Sequence, residues 1–82
     1  MAKIMRPQLK TVEPLKDYKL VLRYSNGECR IYDVSELFNN PLNHTLKNRN
    51  VFETVKIVGC GIEWSNGVDV CPDELYSNSV MV

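Results

Sequence analysis

The sequence predicts a small α+β domain, and three observations predict it. The tripeptide Ser-Asn-Gly occurs twice, at Ser25-Asn26-Gly27 and Ser65-Asn66-Gly67, each time between short strand-forming runs. A further strand-like run precedes the first of these hairpins. Helix-start residues followed within two turns by stop signals account for much of the rest. The expected architecture is a mostly antiparallel sheet of two β-hairpins plus an N-terminal strand, with two or three short helical turns.

At 82 residues the chain is one domain, with a loosely held N-terminus over 1–8, a folded unit over 9–77 and a tail over 78–82. Leu9, Val12 and Leu15 begin the strand pattern, and Pro14 marks this run as an edge strand or a bulge. Leu20, Leu22 and Tyr24 then alternate with Lys19 and Arg23, while Val21 breaks the alternation. After the first turn Cys29 and Ile31 alternate with Glu28, Arg30 and Tyr32. Asn26-Gly27 suits a two-residue type I′ turn, which needs φ > 0 at both positions. That register pairs Tyr24 with Cys29 and Leu22 with Ile31, and sets Arg23 opposite Arg30, a like-charge pair that Glu28 would relieve.

Asp33 or Ser35 caps a short helix with Glu36 in its first turn, stopped by Asn39-Asn40-Pro41. Leu42 to Lys47 is a connector whose Leu42 and Leu46 reach the core. Asn48 caps another turn through Phe52. Thr54 to Val58 is a strand, and Gly59-Cys60-Gly61 is a tight connection. At the second Ser-Asn-Gly a two-residue turn would set Trp64 against Asp69. A three-residue loop with a Gly67 bulge instead pairs Trp64 with Val68 and Ile62 with Val70, so the two tripeptides are expected to differ in geometry. Pro72 opens a last helical turn with Asp73 and Glu74 at its start, and Val80-Met81-Val82 is either a strand added to a sheet edge or a frayed end.

Composition narrows the function classes. A chain of this size buries only about 60% of its unfolded surface, which leaves little stability to spend on a polar catalytic cleft. Ten basic and ten acidic residues balance, but all ten bases lie in 1–56 against six acids, and 57–82 holds four acids and no base. Balanced charge does not favour a nucleic-acid surface. The first ten residues lack the apolar run of a secretory signal, and no run reaches transmembrane length. Three cysteines with no C-x-x-C spacing fit a reducing cytoplasm better than a disulfide framework.

Laid out in order, Asp17-Tyr18-x-Leu20, Tyr24-Ser25-Asn26-Gly27-Glu28-x-Arg30-x-Tyr32-Asp33-Val34, Gly61-Ile62-x-Trp64-Ser65-Asn66-Gly67-x-Asp69 and Pro72-Asp73-x-Leu75-Tyr76 form one pattern, with Leu46, Phe52 and Val55 between. This pattern, across roughly residues 9–77, resembles the bacterial domain-of-unknown-function family numbered 2442. The resemblance implies a small cytoplasmic α+β protein, often encoded beside another small protein in an arrangement similar to toxin–antitoxin pairs. Some members carry a helix-turn-helix segment after this module; none is present in these 82 residues. The family assigns no catalytic residues, so the resemblance carries none over.

Individual residues point the same way. Cys60 sits between two glycines, but no base or helix N-terminus beside it would make a reactive thiolate; Cys29 reads as a core thiol and Cys71 as a strand end. Three cysteines and His44 at irregular spacing do not make a zinc set. Asp33, Asp69, Asp73 and Glu74 could converge on a cation or an acid/base pair, yet three of them already suit caps and first turns. Lys19, Arg23, Arg30 and Tyr32, on one face in the assumed register, are the expected partner contacts. The expectation is a non-enzymatic interaction module without a cofactor, binding a small protein encoded nearby or a second copy. The alternative is a small nucleic-acid-associated regulator using the same basic and aromatic face.

Overall fold

In a computed structural model of the chain, which describes residues 7–82, β1 (Leu9–Pro14) runs antiparallel to β2 (Lys19–Tyr24), and β2 to β3 (Cys29–Asp33). Two 3₁₀ segments, Val34–Asn39 and Pro41–Lys47, lead to the one-turn helix α1 (Arg49–Phe52). A second antiparallel sheet follows, made of β4 (Lys56–Val58), β5 (Gly61–Glu63) and β6 (Asp69–Val70). Helix α2 (Pro72–Asn78) returns the chain to the first sheet, where β7 (Val80–Met81) pairs with β3. The α+β class holds, but the two Ser-Asn-Gly hairpins lie in separate sheets, ordered β1-β2-β3-β7 and β4-β5-β6.

The largest departure from expectation is the first turn. Gly27 N donates to Tyr24 O at 3.0 Å and Tyr24 N to Glu28 O at 2.9 Å, enclosing a three-residue loop. The second turn repeats this with Gly67 N to Trp64 O at 3.0 Å and Trp64 N to Val68 O at 2.9 Å. Both glycines sit in the left-handed region, at φ 90° and 91°, and neither asparagine has positive φ. Instead Asn26 and Asn66 each use Oδ1 to accept the backbone N–H two residues on, from Glu28 and Val68. The expected difference between the two tripeptides is therefore absent: both form the loop foreseen only for the second.

That one-residue change reverses the faces of β3, because side chains alternate along a strand. Leu20 stands opposite Tyr32, Leu22 opposite Arg30 and Arg23 opposite Cys29. Tyr32 enters the core and Ile31 faces outward, the opposite of the expected arrangement. Arg23 and Arg30 never oppose one another.

The β1–β2 connection is a third loop of the same length. Leu15 N donates to Lys19 O at 2.8 Å across Lys16, Asp17 and Tyr18, and Tyr18 takes φ 62° where the other loops have glycine. A tyrosine is held there by its ring, which meets Phe38 and Phe52 edge-on at 5.4 and 5.1 Å, and by its phenol, which donates to Lys47 O. Gly59-Cys60 makes a further hairpin, a two-residue loop with φ 63° at Gly59.

The core lies between the inner faces of the sheets, with Leu20, Leu22, Phe52, Ile62, Trp64 and Leu75 fully buried. Trp64 satisfies its indole N–H on Phe52 O at 3.0 Å. Capping follows the sequence: Asp33 accepts from Ser35 N and Asn48 from Asn50 N. Leu46 is buried as expected, but Leu42 is exposed, because Leu42–Lys47 is part of a 3₁₀ segment rather than a loop that could fold inward. β1 is the edge strand that Pro14 implied, with a bulge between Leu9 and Thr11. Of the N-terminal stretch 1–8, residues 1–6 lie outside the described residues, and Gln8 exchanges two hydrogen bonds with Ser25. The segment 78–82 is not a free tail: it completes α2 and supplies β7.

Candidate functional site

The four expected contact residues do not form one surface. Lys19 and Arg23 project from the outer face of the four-stranded sheet. Arg30 and Tyr32 belong to the inner face. Tyr32 is only 3% exposed, and burial, with Glu74 and Glu36 next in effect, pushes its phenol up to about 12. The basic and aromatic platform assumed for a nucleic-acid regulator is thus split between two faces.

Arg30 is instead part of a latch that closes α2 and β7 onto β3. Its guanidinium lies 4.3 Å from the Tyr76 ring centroid and donates to Glu28 Oε1 at 2.8 Å, Ser79 Oγ at 2.6 Å and Ser79 O at 3.1 Å. Tyr76 Oη donates to both Glu28 oxygens, each at 2.9 Å. The hydrogen bonds from Asn26, Arg30 and Tyr76 hold the Glu28 carboxyl below the usual carboxylate range. The same carboxylate raises the Tyr76 phenol. Every polar group in this set has a partner in the set, which suits fastening rather than chemistry.

With β3 reversed, the outer face of the sheet carries an apolar row. Val21 stands opposite Ile31, and Ile31 opposite Val80, in cross-strand register over β2, β3 and β7. Val21 and Ile31 are half-buried and take no part in the core cluster, and Val80 is 70% exposed. Cys29 shares this face, within 3.9 Å of the Arg23 guanidinium. Lys19 and Asp33 flank the row on one side and Arg23 on the other, and Glu13 from β1, opposite Val21, stands at its end. The sequence held a signal for this face: Val21, the one apolar residue that interrupts the alternation of β2.

The remaining candidates do not assemble into a reactive centre. Cys29, Cys60 and Cys71 are free thiols. Asp33 is committed to its cap, and Asp73 and Glu74 to the first turn of α2. Glu63 and Asp69 oppose each other in register beside a groove of about 220 Å³ that Cys71 and Pro72 also line, with no Lys, Arg or His in its wall. Among the described residues no group of three His, Cys, Asp or Glu side chains could hold a metal ion, and no helix is long and apolar enough to cross a membrane.

Comparison with known proteins gives one finding. No curated protein matches the chain, and no solved structure does. A family model described as a protein of unknown function, DUF2442, matches residues 9–80, which takes in both sheets, α2 and the first residue of β7. That match spans most of the chain, and the chain belongs to the DUF2442 family.

Proposed function

We propose that this domain is a non-enzymatic protein-interaction module that docks through the outer face of its four-stranded sheet. The Val21–Ile31–Val80 row carries this reading. Three aliphatic side chains in direct register, outside the core, are an arrangement that water disfavours and a partner surface would cover. Charged residues rim the row, as in interfaces that come apart. The latch at Arg30 supports the same reading, since it fixes β7 and so completes the row.

The partner class we propose is a small protein encoded beside this one, in a two-gene system of the toxin–antitoxin kind. This rests on the gene setting that the family resemblance implies. Co-expression of the pair, with the full chain tagged, tests it. The neighbouring product should co-purify with the wild-type chain and be lost with Val21→Lys, a substitution outside the core. Equal recovery with both chains would move the docking surface elsewhere, and no recovery with either would remove the neighbour as partner.

A further inference from the structure

We infer that the outer face pairs with a second copy of itself, about a two-fold axis running along the strands between β2 and β3. This rests on the docking reading above: in the chain alone a second copy occupies that face, and the neighbouring product would compete with it for the same row. Closed two-fold pairing requires a surface to complement itself, each residue meeting its counterpart reciprocally. The charges on this face meet that requirement in only one direction.

With the axis along the strands, each residue of β2 faces the residue of the other copy's β3 that it already opposes within its own chain. Val21 then meets Ile31 of the second copy, and Lys19 meets Asp33, each contact made twice. With the axis across the strands, centred on the Val21 row, the ends of β2 exchange and Arg23 meets Lys19, a like-charge contact that an interface disfavours. Of these two axes the charges favour the one along the strands, which also brings Glu13 of each copy to the rim beside Val80 of the other and is close to the aligned packing that twisted sheets adopt. Its charged residues Glu13, Lys19, Arg23 and Asp33 sum to zero, so two copies meet without net repulsion. Lys19 is free to exchange partners: its present contact with Asp17, at 3.3 Å, is solvent-exposed and worth little. Asp33 accepts both Ser35 bonds on Oδ1, and its second carboxylate oxygen can take the Lys19 ammonium.

The test is sedimentation of the full chain over a concentration series, paired with isotope-filtered NOE spectroscopy on an equimolar mixture of labelled and unlabelled protein. The expected result is a mass rising toward twice that of one chain, with intermolecular NOEs between Val21 and Ile31 methyls. Lys19→Glu, which sets two like-charge pairs in the interface, should weaken association by about tenfold or more. Adding Asp33→Asn, which keeps a capping side chain, should restore most of it. Two outcomes overturn the inference: a chain monomeric at every concentration, or a dimer whose intermolecular NOEs lie on another face. A monomer whose Val21 row responds to the neighbouring gene product would overturn self-pairing and leave the docking reading standing. A monomer whose row responds to neither would remove both.

Discussion

Arg30 lies over the ring of Tyr76 at 4.3 Å while both side chains hold the same carboxylate, that of Glu28. One half-buried arginine thereby joins β3, α2 and the first turn. It also anchors Ser79, the residue before β7, through two hydrogen bonds. Because β7 is two residues long, its attachment depends on this contact more than on its own ladder.

Arg30→Ala should release β7 before the rest of the domain unfolds. Amide hydrogen exchange would show it. The Val82 N–H, bonded to Cys29 O at 2.9 Å, should exchange about tenfold faster or more, while the Leu22 amide at the sheet centre changes less.

The latch should also loosen in acid. Glu28 has its folded pKa depressed below the ordinary value of 4.5, so its contribution is fully present above that value. It is lost as pH falls through the lower folded value. Following the Val80 and Val82 signals by NMR from pH 6 downward should show them change only below the ordinary carboxylate range, and Glu28→Gln should remove the transition.

Alkali acts on the core through Tyr32. Its folded pKa of about 12 stands above the free phenol value of 10.0, so the neutral ring is favoured on folding. That stability is complete below pH 10 and is lost as pH rises from there toward 12, reaching roughly 3 kcal/mol when both states are ionised. Thermal melts across this range should show the loss, and Tyr32→Phe should flatten it.

The two Ser-Asn-Gly loops should respond alike to one substitution. A Cβ at Gly27 or Gly67 meets nothing within 4 Å, so alanine there pays only for the left-handed backbone, about 1–2 kcal/mol at each site. Gly61→Ala should be far worse, because its Cβ would lie 2.5 Å from Val70 O. Denaturant midpoints of the three variants check this.

Local chemistry was legible in the sequence, and long-range choices were not. Asp33 and Asn48 cap where they should because a cap needs only the next three residues. The second hairpin was readable because a two-residue turn there would set Trp64 against Asp69, mixing the faces. At the first, both registers left an apolar face, since Cys29 and Ile31 compete with Tyr32. The register formed gives Arg30 partners on the inner side, Tyr76 and Ser79, which lie 46 and 49 residues away and are invisible to a local reading. The candidate site inherited that ambiguity: the expected contacts Arg30 and Tyr32 exchanged faces with Ile31, and the apolar row came into view only with β7 in place.

The docking role of that row is tested most directly by methyl chemical-shift mapping of the full chain, first against its own concentration and then on adding the neighbouring gene product. Docking through the row should concentrate the shifts at Val21, Ile31 and Val80, with the core methyls of Leu20, Leu22 and Leu75 unmoved. Shifts confined to the groove beside Glu63 and Asp69, or none at all in either titration, would contradict it.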